Sequence, residues 1–230
     1  MFHCYLNSRA AVMILILVSA ISLNSPADPM YYNYENVGPY SNTFPFGQSA
    51  GKAVNWLFLS GDFTQPTPLP AGNQITDVYF FLTTGGSRTY TDLTIKMAQD
   101  DITTLTSGQF YPGPWETVYY NSSVLLSGTD NSWLGITLDS PFSYDPTKSL
   151  ILAVEQSGGT GDGMYVRQNA LSDIRRVWSE GGSPFTPYSG GDASIVNFGV
   201  DIAAVPLPGA FILGGLGLSF AGWRLRQTKI

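Results

Sequence analysis

Histidine and cysteine are almost absent from this 230-residue chain, which contains one of each. Both residues, His3 and Cys4, precede the first apolar run, so a chain that loses its N-terminal segment has neither an imidazole nor a thiol. Such a body excludes a Ser-His-Asp or Cys-His catalytic arrangement, a zinc or haem site with histidine or cysteine ligands, and a disulfide framework. The chemistry that remains is that of carboxylates, hydroxyls, amides and aromatic rings.

Charged residues are also few, at 12% of the chain, and the formal net charge is −6. Four of the 11 basic residues lie at the two ends, at Arg9, Arg224, Arg226 and Lys229, whereas all 17 acidic residues lie between them. The interior therefore retains seven basic residues against 17 acidic ones, a net charge of −10. Because this charge repels nucleic-acid phosphates and anionic membrane surfaces, we predict no nucleic-acid partner.

Carboxylate catalysis has little support in the sequence. A glycoside hydrolase needs two carboxyl groups about 5 to 10 Å apart in a cleft. No spacing pairs the four glutamates, which are Glu35, Glu116, Glu155 and Glu180. We therefore predict that the protein is not an enzyme, with a carboxylate-dependent glycoside hydrolase as the remote alternative.

The N-terminal segment is typical of an export signal. Arg9 precedes the apolar run 10–23, and the small residues Ser25 and Ala27 follow it. A positive start, a short apolar run and a small-residue exit are the parts of a secretory signal peptide. We predict a signal peptide over residues 1–27, cleaved after Ala27, with a cut near Ala20 or a retained anchor as alternatives.

The C-terminal segment, residues 204–230, has three parts in order. A proline-containing motif comes first, then the Gly-rich apolar run 210–223, then a basic end at Arg224, Arg226 and Lys229. The motif consists of Val205, Pro206, Leu207, Pro208 and Gly209. The uncharged stretch 203–223 is just long enough to span a bilayer, and the positive-inside rule keeps its basic end cytoplasmic. We predict a transmembrane helix here.

This order of motif, apolar helix and basic end resembles the PEP-CTERM sorting signals of bacteria, in the variant that reads Val-Pro-Leu-Pro and a small residue. The resemblance covers about the last 26 residues. It implies that an exosortase, a membrane-embedded cysteine transpeptidase, recognises the motif in a Gram-negative cell after the secretion machinery has exported the chain. The sequence departs from the family at Gly209, where alanine is commoner, and in its sparser basic end. A plain C-terminal anchor helix is the alternative.

Between the two ends, residues 28–203 predict one all-β domain. Period-two alternation recurs there, and no long 3.6-residue period interrupts it. Nine segments are predicted strands: 53–59, 75–82, 93–98, 117–120, 133–138, 150–155, 164–168, 175–178 and 195–202. Residues 150–154 are all apolar, which indicates a strand covered on both faces. The Gly-rich stretch 157–163 is predicted as a turn, and 139–141 as the end of a strand. The number and spacing of strands favour a jelly-roll-like or Greek-key β-sandwich.

The middle of this body resembles a β-sandwich module that recurs in secreted and surface proteins of environmental bacteria. Four segments carry the resemblance in order: 93–97, 133–139, 141–145 and 150–154. The similarity spans roughly residues 75–202. It implies a binding or spacing unit without catalysis, and it assigns no site residues.

Two kinds of ligand remain open for the body. Loop carboxylates favour calcium in extracellular β-domains, and the candidates are Asp100, Asp101, Asp139 and Asp162. Planar rings favour a polysaccharide, and the candidates are Trp115, Tyr111 and Tyr119, with Trp115 predicted to lie in a loop. Turn aspartates in solvent and rings packed in a core are the alternatives, and Trp56, Trp133 and Trp178 are predicted to be core or half-buried.

These features together predict an exported structural or adhesive protein of the cell envelope or extracellular matrix. It would pass transiently through the inner membrane and be processed by an exosortase. A carbohydrate- or calcium-binding surface module is the alternative.

Overall fold

The computed structural model describes residues 28–35, 37–179, 181–182, 184–188 and 191–204. The predicted signal peptide, sorting motif, transmembrane helix and basic end all lie outside the described residues. Within them the protein is all-β, with twelve strands and no helix. The strands are β1 (Tyr31–Tyr32), β2 (Tyr40–Asn42), β3 (Ala50–Phe58), β4 (Asn73–Thr84), β5 (Gly86–Asp100), β6 (Glu116–Gly128), β7 (Trp133–Tyr144), β8 (Ser149–Gly161), β9 (Tyr165–Ala170), β10 (Arg176–Trp178), β11 (Ser194–Val196) and β12 (Phe198–Ala204).

The strands form two antiparallel sheets. The five-stranded sheet has the order β10-β3-β8-β5-β6. The seven-stranded sheet runs β1-β12-β4-β9-β11, with β7 on the other edge of β4 and β2 paired with β9. Most connections cross from one sheet to the other, so consecutive strands such as β3 and β4, or β7 and β8, belong to opposite sheets. The fold is therefore a β-sandwich with its main core between the sheets.

Aromatic rings fill the centre of this core. Phe198 of β12 is fully buried, and its ring stacks on Phe58 of the opposite sheet at 4.9 Å between centroids. The rings of Phe80 and Phe63 lie 5.3 and 6.1 Å from it. Trp56 is also buried, 1% exposed, and packs against Phe80. Contacts between rings of both sheets tie the last strand of the body to the whole sandwich.

All nine predicted strand segments coincide wholly or largely with strands, although 195–202 divides into β11 and β12 at Asn197. The prediction that residues 150–154 are covered on both faces is confirmed, because all five are buried and β8 is the middle strand of its sheet. The outer face of β8 is covered at Ile151 by Leu105, from the long β5–β6 loop. We call this group of buried residues the outer cluster: Leu57, Ala98, Leu105, Ile151 and Val177. Trp56 and Trp133 are buried and Trp178 is half-buried, as predicted.

The prediction that residues 139–141 end a strand is wrong, because β7 continues to Tyr144. A proline removes one ladder donor, so it is tolerated on an edge strand or opposite a bulge. Pro141 meets both conditions: β7 pairs only with β4, and the register shifts between Ile75 and Asp77 beside it. The continuation matters because it brings Phe142 and Tyr144 into the core.

The predicted turn at 157–163 is also wrong over most of its length, because β8 extends to Gly161 and pairs with β5. Gly161 lies within β8, and both its backbone conformation and its close contacts require glycine. Its φ is +113°, and a Cβ there would overlap the carbonyl oxygen of Ser87. The Gly161 carbonyl in turn accepts hydrogen bonds from Arg88 Nη2 at 2.7 Å and Nε at 3.1 Å.

We expect Gly161→Ala to lower the free energy of unfolding by about 1–3 kcal/mol, because it combines a strained φ with a clash against the backbone. Urea unfolding followed by tryptophan fluorescence measures the loss. Gly181→Ala is the matched control, since no atom lies within 4 Å of the added Cβ there, and it should change stability by less than about 0.5 kcal/mol. Equal effects of the two substitutions would contradict this account of Gly161.

Buried tyrosine hydroxyls make the fold sensitive to alkali. Tyr90 is fully buried and donates to the Phe46 carbonyl at 2.7 Å, and Tyr144 donates to the Lys148 carbonyl at 2.8 Å. Burial raises the pKa of both hydroxyls well above the usual value. Because tyrosine in an unfolded chain ionises near pH 10, the folded state holds these protons more tightly than the unfolded state does.

The stability contributed by these two groups is therefore fully present below about pH 10 and is lost as the pH rises above it. We expect the free energy of unfolding to fall steeply between about pH 10 and 12. The double variant Y90F/Y144F should be less stable at pH 7, because two carbonyls lose their donors, and should show a shallower alkaline decline. Urea unfolding at a series of pH values tests this, and an unchanged alkaline slope in the double variant would count against it.

Candidate functional surfaces

The four carboxylates proposed for calcium are not brought together. Asp100 ends β5 opposite Ser149, the first residue of β8, and Asp101 follows it. Asp162 instead follows Gly161, at the other end of the 13-residue strand β8. No group of three or more His, Cys, Asp or Glu side chains is placed to hold a metal ion in the part of the chain that the structure describes.

Asp139 has a partner of its own at a sheet edge. Its Oδ2 accepts a hydrogen bond from the backbone N–H of Tyr120, at 2.9 Å. Tyr120 belongs to β6, the outermost strand of the five-stranded sheet, whose backbone pairs only with β5. Asn121 Oδ1 similarly accepts from the N–H of Ser123 at 3.0 Å. Side chains thus satisfy donors on this 13-residue edge strand, which limits its pairing with another chain.

The three rings proposed for a polysaccharide lie on opposite faces of the five-stranded sheet. Tyr119 is 9% exposed and belongs to the core between the sheets. Tyr111 and Trp115 lie in the β5–β6 loop, as predicted for Trp115, and pack on the outer cluster. Their rings are perpendicular, at 5.4 Å and 86°, and Trp115 Nε1 donates to the Tyr111 carbonyl at 3.1 Å. Of the three, only this pair is half-exposed at the surface.

A carboxylate adjoins that ring pair. The Tyr111 hydroxyl donates to Asp100 Oδ2 at 2.7 Å, and the backbone N–H of Asp101 donates to Asp100 Oδ1 at the same distance. These two hydrogen bonds, the tyrosine's first, hold the pKa of Asp100 below its usual value. Burial, followed by the bond to Asp100, raises the pKa of Tyr111 to about 12. At neutral pH the site therefore presents a neutral phenol beside an ionised carboxylate.

Both ends of the folded body lie at one end of the sandwich. The chain enters through β1, where Tyr31 pairs with Val200, and the Met30 N–H donates to Asp201 Oδ1 at 2.6 Å. The chain leaves through the adjacent antiparallel strand β12, whose last residue, Ala204, pairs with Asn73. We call this the tail end of the sandwich. The opposite, far end carries exposed Leu125 and Tyr165.

A cavity opens at the tail end. Its volume is about 320 Å³, and it lies between the β3–β4 loop and the β7–β8 turn. Mainly apolar side chains line it, with three hydroxyl-bearing residues, of which Ser60 and Thr147 are exposed at its rim. The lining residues are Ser60, Gly61, Phe63, Pro68, Leu69, Tyr144, Pro146 and Thr147. No local pattern in the sequence signals this cavity, because its walls come from segments about 80 residues apart that meet only when β4 pairs with β7.

An ion pair between a buried guanidinium, 6% exposed, and a half-buried carboxylate, 31% exposed, lies where β10 approaches β9. The Arg176 guanidinium bonds the Asp192 carboxylate and donates to Gln168 Oε1 at 3.0 Å. It also lies 4.7 Å from the centroid of the Trp178 ring. Burial lowers the pKa of Arg176, and the charge and hydrogen bond of Asp192 oppose that effect. Sequence reasoning missed this cluster, because nothing local in the chain marks Arg176 and Asp192 as partners.

No protein-family profile matches this chain, and no curated protein matches it in sequence. Across the described residues no helix is both long enough and apolar enough to cross a membrane. The predicted sorting motif, transmembrane helix and basic end lie outside those residues and remain predictions of the sequence.

Proposed function

We propose that this chain is an exported, non-enzymatic protein of the cell envelope or extracellular matrix, with a structural or adhesive body that an exosortase releases or transfers. The signal peptide over 1–27 and the sorting segment over 204–230 carry it through the inner membrane. The resemblance of Val205–Gly209 and the following segment to PEP-CTERM signals supports this assignment.

The position of the body's two ends is the observation that best supports an exported protein held by its C-terminal segment. A domain suspended from a membrane by its C-terminal segment needs its last strand to leave at the membrane side, with the remainder projecting outwards. Here the entry at Met30 and the exit at Ala204 share the tail end, through adjacent strands. The exposed Leu125 and Tyr165 then face away from the membrane, where an adhesive surface is useful.

We further propose that the sandwich is a jelly roll. The orders β1-β12-β4-β7 and β3-β8-β5-β6 in the two sheets support it, because each sheet interleaves early and late strands, as two Greek keys do. Jelly rolls are common in lectin domains and in the shells of assemblies, which agrees with a binding or structural role.

Expression of the full chain in a bacterium with an exosortase, and in the same strain without the enzyme, tests the sorting proposal. We expect a mature N-terminus at Asp28 in both strains and loss of the C-terminal segment only where the enzyme is present. The variant P206A/P208A should remain unprocessed in both, and P112A/P114A, which changes two prolines of the same spacing within the body, should be processed normally. Uncleaved full-length chain dissolved in the cytosol would overturn the proposal.

A carbohydrate-binding role is the second candidate, and the Tyr111–Trp115 pair favours it. Two half-exposed perpendicular rings beside the Asp100 carboxylate combine an apolar platform with a hydrogen-bond acceptor, which is the chemistry that binds a sugar ring. Titration of the protein with envelope or matrix polysaccharide should shift its tryptophan fluorescence. W115A should abolish the shift and Y165A should preserve it. An identical shift in W115A would eliminate this candidate.

A further inference from the structure

We propose that, while the segment after β12 lies outside the bilayer, the cavity at the tail end receives Leu207 and Pro208 of the same chain, so that the body holds its own proline-containing motif. The proposal concerns docking in the folded protein. Only its consequence for processing rests on the proposed function. Three features support docking: the chemistry of the cavity, the chemistry of the segment and the distance between them.

The cavity selects an apolar occupant. Each hydroxyl in its lining already donates to an oxygen of the chain: Ser60 Oγ to the Pro146 carbonyl at 2.9 Å, Tyr144 to the Lys148 carbonyl at 2.8 Å, and Thr147 Oγ1 to Asp145 Oδ1 at 2.7 Å. The remaining wall is carbon from Phe63, Pro68, Leu69 and Pro146. A polar ligand would lose its hydrogen bonds to water on entry and would gain few in return. An apolar side chain makes no hydrogen bonds to water, so it has none to lose.

The segment after β12 has the matching chemistry. All four side chains from Val205 to Pro208 are apolar, and two of the four residues are prolines without a backbone N–H. Its transfer from water therefore leaves few unpaired donors. Proline-containing segments with an extended backbone bind grooves lined by aromatic and proline rings, because little conformational entropy is lost. Phe63 and Tyr144 supply the aromatic rings here, and Pro68 and Pro146 add proline rings.

The strand pairing places the segment within reach. Asn73 at the start of β4 pairs with Ala204 on one side and with Tyr144, a cavity residue, on the other. Adjacent strands lie about 4.8 Å apart, so about 10 Å separates Ala204 from Tyr144. Three or four extended residues, at about 3.3 Å each, cover that distance. Val205 and Pro206 therefore span most of that distance, and Leu207 and Pro208 reach the cavity.

Disulfide cross-linking of the purified full chain in detergent micelles tests docking directly. Cys4→Ser provides a cysteine-free background, into which Leu207→Cys is introduced with a second cysteine. Ser60→Cys and Thr147→Cys lie on the exposed rim of the cavity. Ser143→Cys is the matched control, because Ser143 adjoins Tyr144 on β7 but its side chain bonds Gln74 on the other face of the sheet. All three positions are within reach of an unattached tail.

We expect both rim pairs to oxidise about tenfold faster than the Ser143 pair, since docking raises the effective concentration of the thiol introduced at Leu207 only at the cavity. Concentrated urea should abolish the difference. Circular dichroism establishes that each variant is folded. Equal rates for rim and control pairs in the folded protein would overturn the proposal. Because this measurement does not involve an exosortase, a failure of the sorting proposal would leave its result unaffected, and a failure of docking would leave sorting intact.

Docking also has a consequence for processing, if the sorting proposal holds. A motif seated in the cavity is withheld from a processing enzyme in proportion to the time it is bound. Variants that weaken docking without altering the motif should then be processed faster in the exosortase strain. Leu69→Ala, which removes carbon from the cavity wall, is the variant for that comparison.

Discussion

Replacing Phe198 with alanine is expected to lower the free energy of unfolding by about 3–5 kcal/mol. The ring is fully buried and contacts three other rings, those of Phe58, Phe63 and Phe80. Its removal eliminates the hydrophobic contribution of a phenyl group and leaves a cavity that rigid neighbours on two sheets cannot close. The backbone N–H of residue 198 would still donate to Asn33 Oδ1, so the loss reports packing.

Urea unfolding monitored by tryptophan fluorescence measures this effect. Phe198→Leu should lose about 1–2 kcal/mol, because it keeps most of the buried carbon. Tyr165→Ala, which truncates a ring 38% exposed, should lose less than about 1 kcal/mol. A loss below about 1 kcal/mol for Phe198→Ala would mean that β12 does not share the core of the two sheets.

Asp192→Ala should have the second-largest effect, a loss of about 3 kcal/mol. The substitution leaves the Arg176 guanidinium, whose side chain is 6% exposed, buried without its carboxylate. Gln168 still accepts one hydrogen bond and the Trp178 ring still faces the cation, but neither neutralises its charge. Removal of the half-buried Asp192 carboxylate is destabilising mainly because the Arg176 charge stays buried.

Two further variants separate this explanation from a general effect of losing an aspartate. Asp101→Ala removes a surface pair in which Lys148 Nζ lies 3.9 Å from the carboxylate and both side chains are exposed, so stability should change by less than about 1 kcal/mol. The double variant R176M/D192A removes the buried charge as well, and it should recover part of the loss. No recovery in the double variant would assign the effect of Asp192→Ala to packing or to the lost Ser194 hydrogen bond.

The sequence predicted the strands well because their signal is local. Period-two alternation and the apolar run 150–154 depend on adjacent residues, and both describe β8 and its neighbours correctly. The errors arose where contacts with neighbouring strands decide whether a strand continues. Pro141 is compatible with β7 only because β7 is an edge strand, and Gly161 continues β8 because β5 approaches it closely. Neither fact can be read from the residues beside them.

The candidate surfaces show the same division. Trp115 was expected in a loop from its neighbouring prolines and lies in one, and its partner Tyr111 is near it in sequence. Tyr119 was grouped with them by composition, yet its pairing opposite the buried Ile95 places its ring in the core between the sheets. The cavity and the Arg176 cluster could not be predicted, since each depends on contacts between distant segments.

The shared location of entry and exit also determines how the body would respond to mechanical load. A pull applied to the far end and resisted at Ala204 acts along the axis of β12. All seven residues of that strand pair with β4, so their hydrogen bonds would be sheared together and would resist as a group. A pull between the two ends of the body would instead peel β1 from β12 pair by pair, over only two residues. Tethering through the C-terminal segment alone thus places the applied force in the stronger of the two directions.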